Sequence, residues 1–276
     1  MRKLTIIFLL TLFCGYATSQ SIYTALQLNQ DREYKTKRPR KIVETNTFYN
    51  TNGTQIDKNI KIFDEAGMLL TEERYDETGN LKARLIYTND TTNRLKLNRT
   101  FVRWNSFGQS KEIAYYNYDT NKFLVSMTDK NSNDQVKFVS KVLCNTKGDP
   151  IELLLFDGNG NPYGKEIATY FYDKNQVITS VVSNDGKTLS NSTNKINYKT
   201  AHLFHNDSEV YNERGDLIIV KGIDSSGIVT EKISEEEYTY DIYGNCTEKK
   251  VYKVTIRKNG KEKRTIDRIF KKEYTY

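Results

Sequence analysis

Apolar and polar residues alternate at every second position along most of the chain. In Leu81-Lys82-Ala83-Arg84-Leu85-Ile86-Tyr87, the residues Leu81, Ala83, Leu85 and Tyr87 share one side, and Tyr252-Lys253-Val254-Thr255-Ile256 repeats the habit. Tyr238 and Tyr240 do so again in Glu237-Tyr238-Thr239-Tyr240-Asp241. A period of two is that of a strand with one buried face. Helical periodicity is weak, and Ser21 to Glu33 alone is read as a short helix, placed over the first strand. Twenty tyrosines beside one tryptophan suit twisted strands whose half-buried faces need ring area and tolerate a wet hydroxyl.

One pattern interrupts the alternation repeatedly: an aromatic or aliphatic residue, Asp or Asn, a polar pair, Gly, a polar residue, then an aliphatic. It stands as Phe63-Asp64-Glu65-Ala66-Gly67-Met68-Leu69 and Tyr75-Asp76-Glu77-Thr78-Gly79-Asn80-Leu81. Looser copies begin at Cys144, Phe156, Tyr211, Ile223 and Tyr240, and Tyr118-Asp119-Thr120-Asn121 and Tyr172-Asp173-Lys174-Asn175 read as copies with Asn in place of Gly. Six copies form tandem pairs twelve residues apart, starting at 63 and 75, 144 and 156, 211 and 223. Asp or Asn opening a turn can accept a hydrogen bond from the backbone two residues on, and Gly supplies the positive φ of the reversal. Each copy is therefore a hairpin corner, with Asp64, Gly67, Asp76, Gly79, Asp157, Gly160, Gly215, Asp224, Gly227, Asp241 and Gly244 as its structural turn residues.

Short strands between such corners predict an all-β fold, a repetitive antiparallel hairpin meander forming an elongated curled sheet or an open β-solenoid. The final Glu273-Tyr274-Thr275-Tyr276 matches Glu237 to Tyr240, so a terminal strand is expected to present an open edge, blunted by the charged run Arg268 to Glu273.

The start of the chain reads differently. Met1-Arg2-Lys3 precedes an uncharged apolar run from Leu4 to Phe13, then Cys14-Gly15-Tyr16-Ala17-Thr18-Ser19-Gln20. This is the layout of a secretory leader. Its apolar run is half the roughly 20 residues that a permanent membrane helix needs. Ala17 and Ser19 place cleavage before Gln20, with the bond after Gln20 as the nearest alternative. Lipid attachment at Cys14 is disfavoured by the bulky Phe13 before it. The expected organisation is a leader over 1–19, a partly irregular segment over 20–59 and one repeat domain over 60–276.

The chain holds 42 basic and 35 acidic residues. Loss of Arg2 and Lys3 with the leader leaves a net charge of +5, with the signs interleaved. The exception, Lys35-Thr36-Lys37-Arg38-Pro39-Arg40-Lys41, reads as a solvated linker rather than a nucleic-acid contact. Cys144 and Cys246 are too few to staple a domain this large; they pair, or they stand as separate thiols.

Tyr75-Asp76-Glu77-Thr78-Gly79-Asn80-Leu81 and Tyr238-Thr239-Tyr240-Asp241-Ile242-Tyr243-Gly244-Asn245 resemble the YD repeats of bacterial Rhs-type proteins, with a consensus near Tyr-x-Tyr-Asp-x-x-Gly-Asn-Leu. The resemblance covers residues 60 to 276 loosely. It implies β-sheet shells or spiralling sheets on an exported or surface protein. This chain is too short to enclose a cargo, so the resemblance implies architecture and export and leaves activity open.

The residues that carry chemistry elsewhere do not assemble into a motif. His202 and His205 are three apart, on opposite faces of a strand and without a Cys or carboxylate cluster to complete a metal shell. Asp157-Gly158-Asn159-Gly160-Asn161 opens like a calcium loop, but Pro162 and Ala168 occupy positions where that loop needs Gly and Glu. Glu235-Glu236-Glu237 cannot all converge from one strand as a glycosidase's acids must, and read as a solvated charged face. No nucleophile elbow, Walker loop or dinucleotide fingerprint is present. The expectation is an exported cell-envelope or secreted structural or protein-interaction module, with no catalytic, cofactor-binding or metal residues, no cofactor and no nucleic-acid partner. Its partner is an envelope or extracellular protein, or a glycan. The alternative is a carbohydrate-binding module on an aromatic sheet face.

Overall fold

The computed structural model describes residues 21–28, 37–198, 203–257 and 259–276. The leader expected over 1–19 lies outside the described residues, as do Lys35, Thr36 and His202.

A helix, α1 (Ile22–Leu28), precedes eighteen strands. The first nine are β1 (Lys41–Asn50), β2 (Gly53–Phe63), β3 (Leu69–Tyr75), β4 (Leu81–Asp90), β5 (Leu95–Asn105), β6 (Gly108–Tyr118), β7 (Leu124–Asn131), β8 (Val136–Cys144) and β9 (Pro150–Asp157). They are followed by β10 (Pro162–Phe171), β11 (Gln176–Ser183), β12 (Thr188–Ile196), the stubs β13 (Phe204–His205) and β14 (Glu209–Tyr211), then β15 (Leu217–Ile223), β16 (Val229–Tyr240), β17 (Cys246–Ile256) and β18 (Glu262–Thr275). Every ladder is antiparallel, and each strand from β1 to β13 and from β14 to β18 pairs with the next.

The sheet does not stay open. β18 also pairs with β1, from Lys41↔Thr275 to Phe48↔Arg268, so the meander closes into a nearly complete barrel instead of the open solenoid or curled sheet expected from the repeats. Right-handed twist, summed over so many strands, curls the two ends of a sheet toward each other. The charged run that was expected to blunt a free edge faces β1 instead: Lys272 stands opposite Glu44, 3.8 Å away, and the Arg40 N–H donates to the Thr275 carbonyl. The sheet begins at Lys41, so the boundary expected at 60 falls inside β2.

Cross-strand partners share a face, which allows the inner surface to be traced around the wall. Tyr116–Met127–Ser140, Val142–Leu153–Glu166 and Tyr170–Val177–Asn194 are inner rows. Into this concavity fits α1, whose Ile22, Ala25 and Leu26 are buried with Leu124, Met127, Val142, Leu153, Ala168 and Val177. Fully burying Ile22 and Leu26 is worth about 1.5–3 kcal/mol each. The Ser21 hydroxyl accepts from the Thr24 N–H, an N-cap, while Glu166 accepts from the Ile22 N–H at 2.8 Å. The helix expected over Ser21–Glu33 thus exists over Ile22–Leu28, with 29–33 outside the described residues, but it packs on β9 and β10, not on the first strand. On the other side of the barrel the inner row Ile42–Lys61–Glu72–Leu85–Phe101 is more polar. Glu72, buried there, accepts from Arg74 Nε at 2.6 Å.

The outer face is mixed. Lys141, Leu154 and Lys165 form one outward row at mid-strand, and Glu73 pairs with Arg84, with Nη2 to Oε1 at 2.7 Å. No described helix is long and apolar enough to cross a membrane.

Candidate interaction surface

Strict alternation of direction sends successive corners to opposite rims. The rim carrying corners 64–68, 119–123, 145–149, 212–216 and 241–245 is called upper, and that carrying 76–80, 131–135, 157–161, 183–187, 224–228 and 257–261 is called lower. The corners share one geometry. At Asp157–Asn161 the Asp157 N–H donates to the Asn161 carbonyl (2.9 Å), the Gly160 N–H donates to the Asp157 carbonyl (3.0 Å), and Asp157 Oδ1 accepts from the N–H groups of Asn159 and Asn161. This is a type I turn closed by a left-handed residue, a G1 bulge. Gly160 occupies the left-handed position at φ 82°, and Gly67, Gly79, Gly215, Gly227 and Gly244 stand at its equivalents, at φ between 75° and 80°. Asp64, Asp76, Asp224 and Asp241 accept in the same way as Asp157. Asn161 and the turn N–H groups hold the Asp157 carboxyl below the usual carboxylate range.

Of the two copies read with Asn in place of Gly, one departs from that reading and the other bears it out. In the copy at Asp119 the left-handed residue is Lys122 (φ 68°), not Asn121. The copy at Tyr172 opens on a single 3₁₀ turn, Tyr172–Lys174, ended by Asn175 at φ 49°. The corners at Asn131, Ser183 and Arg257 escape that reading. Gly186 and Gly260 could have revealed the last two, whereas Asp134 takes the left-handed position in the first.

The upper rim is sealed by tyrosine pairs. Tyr170 and Tyr172, Tyr238 and Tyr240, and Tyr274 and Tyr276 each stack at centroid distances of 5.8, 6.2 and 6.0 Å. The first hydroxyl of each pair donates to the carbonyl of the residue just past an upper corner: Pro150, Leu217 and Cys246. The second donates to a corner carboxylate, Asp149, Asp216 or Asp241, and accepts from a corner amide, Asn145, Asn212 or Asn245. In the first two corners the amide opens the turn and the acid closes it. In the third the order is reversed, and the tyrosine still meets one of each. Burial, then the bond to the acid, pushes Tyr172, Tyr240 and Tyr276 up to about 12. A cation covers each second ring: Lys147, Arg214 and Lys37. Lys37 to Arg40 are therefore not a solvated linker, for Pro39 is fully buried and the Arg38 side chain lies over Gly67.

The wall is incomplete at one place. β13 and β14 turn back on each other through Asn206–Ser208, near the upper rim. β12 pairs with β13 only at Lys195 and Ile196, so among the described residues its edge from Thr188 to Asn194 has no partner strand. Ser190 and Ser192 belong to the inner face and are nevertheless exposed, as expected where the wall is breached. Across the gap, β15 is paired with β14 only from Leu217 to Val220. Large apolar side chains are exposed on the elements to either side: Leu189 on β12 is 61% exposed, Ile223 on β15 55%, Ile228 in the next corner 63% and Ile233 on β16 50%.

The remaining candidates are absorbed by structure. His205 is buried and stacks on Tyr211 at 3.8 Å. Glu235 and Glu237 pair with Arg264, while Glu236 pairs with Lys249 and shares the Tyr238 hydroxyl proton with the Leu217 carbonyl. Cys144 and Cys246 are free thiols, and burial pushes Cys144 up to about 11. Among the described residues no three of His, Cys, Asp and Glu gather as a metal site would require.

The described surface is that of an antiparallel barrel with a lateral seam. A porin-like protein from Bacteroides uniformis ATCC 8492 is similar to it at a TM-score of 0.48 and 13% identity, over 87% of this chain and 99% of that one. TcdB2-TccC3 without its hypervariable C-terminal region is similar at a TM-score of 0.31 and 14% identity, over 76% of this chain and 14% of that one. No family model and no curated protein matches the chain.

Proposed function

We propose that the chain is a short, exported YD-repeat relative that works as a protein-interaction module of the cell envelope or its exterior. The observation that carries this reading is the unpaired edge of β12, with Leu189, Ile223, Ile228 and Ile233 exposed on the elements to either side. An open edge offers backbone donors and acceptors to an added strand, and flanking apolar side chains give that strand something to bury. A lipid-embedded barrel is a poorer fit. Lys141, Lys165, Glu73 and Arg84 point outward, and each Lys or Arg at a bilayer midplane costs about 2–4 kcal/mol. The carbohydrate reading has less support, because the three tyrosine pairs spend their hydroxyls on upper-rim corners.

The test is retention of envelope proteins by the immobilised chain from Gln20, compared with Thr193→Pro. The Ile196 N–H points to β11, so by alternation the Thr193 N–H points to the open edge and its loss breaks no ladder bond. A saturable protein retained by the native chain and lost with Thr193→Pro is expected. Equal retention by both, or retention of polysaccharide alone, overturns the reading.

A further inference from the structure

We infer that the open edge of β12 pairs with the same edge of a second copy, joining two barrels through an antiparallel ladder centred on Asn191. This rests on the interaction reading above and names its occupant. Three observations lead to it. The edge residues Thr188-Leu189-Ser190-Asn191-Ser192-Thr193-Asn194 carry no charge, whereas the edge strands of β proteins are commonly guarded by Lys, inward charges or Pro. In a two-fold pairing each residue meets its own kind or a near neighbour, so a charged edge would repel itself; Thr188 to Asn194 do not, and of the lysines set opposite each other at the two ends, Lys187 and Lys195, the second is already paired with Asp207.

The second observation is the direction of the backbone. The Ile196 N–H donates to Asn175 beside β11, and the Asn197 N–H turns the other way, to Leu203. By alternation Asn191 and Thr193 direct N–H and C=O into the opening. A two-fold axis at Asn191 then makes Asn191↔Asn191 a hydrogen-bonded pair and sets Thr193 opposite the other copy's Leu189, the bulged residue of β12. The third is Leu189 itself, 61% exposed on a strand that is otherwise polar up to Lys195, and covered in this register by the facing strand. The stunted β13 and β14 leave the lower part of the gap free to receive it.

Sedimentation velocity over a concentration series tests the pairing, with Asn191→Lys as the disrupting variant. Asn191 is exposed and makes no ladder bond to β11, so thermal unfolding of the variant should match the native chain. Two lysines on the axis should weaken dimerisation on the order of a hundredfold. In a Cys144→Ser, Cys246→Ser background, Asn191→Cys should be joined to itself by a short bismaleimide, and Thr239→Cys should not. A monomer at every concentration, or a dimer indifferent to Asn191→Lys, overturns the inference. If the chain is monomeric but Thr193→Pro still abolishes capture of another protein, the second copy is wrong and the interaction reading stands.

Discussion

The barrel wall has two joints of opposite character. Where β18 meets β1, long strands pair from Lys41↔Thr275 to Phe48↔Arg268, charges of opposite sign face each other, and Tyr276 locks onto Asp241 and Asn245 just above. Where β12 approaches β15, the intervening strands are two and three residues long and an uncharged edge is left exposed. Length and sequence act together at each joint. Charge on a terminal strand selects a partner when a complementary strand lies within reach, and a polar uncharged strand beside a truncated neighbour stays available.

The sharpest way to press this comparison is to contrast leucines on either side of it. Leu153→Ala, in the helix-filled side where Leu153 is fully buried, should cost about 2–5 kcal/mol in denaturant unfolding. Tyr276→Phe removes one hydroxyl shared by Asp241 and Asn245 at the closed joint. A loss of about 0.5–1.5 kcal/mol is expected, checked by the same unfolding curve, and a value near zero would mean the latch is ornamental.

The helix responds to pH through Glu166. Burial raises this carboxyl, with the Ile22 N–H working against the shift, so the native state holds the proton more tightly than the unfolded chain. Its contribution to stability is greatest below the unfolded pKa of about 4.3 and falls as pH rises through the higher native value. Glu166→Gln keeps an acceptor for Ile22 and should flatten that part of a stability-versus-pH curve without moving the acid limb set by corner carboxylates such as Asp157, whose lowered values act in the opposite sense. Leu189→Ala at the seam should change stability of the single barrel by less than about 0.5 kcal/mol; a larger loss would show the seam already packed.

The corners and the strands between them were legible because their causes are local. An Asp or Asn accepting its own turn amides, a Gly at positive φ and a period-two pattern all lie within a few residues. Lys122 and Asp134 show where that reading fails, since residues with side chains fill the left-handed position and erase the glycine signal. Closure was not legible, because no local feature of Arg268–Glu273 says whether Glu44 waits opposite or water does. The seam was missed for a similar reason. Phe204–His205 and Glu209–Tyr211 alternate as strands do, and their shortness shows only in the turn at Asn206–Ser208. The tyrosine latches had a visible signature, Asn-x-x-Gly-Asp or Asp-x-x-Gly-Asn followed by Tyr-x-Tyr, but its two halves are joined only in space.

The joint between β1 and β18 also divides folding into two regimes. Neighbouring hairpins can zip one after another, each closing a short loop, whereas the run β1 to β13 and the run β14 to β18 are laddered together only through one contact between distant parts of the chain. During synthesis β1 is therefore made long before β18 exists, and its outer edge must pass that interval unpaired. A chain of this design depends on shelter while it is being made, or on rapid delivery of its far strand, more than its finished stability would suggest.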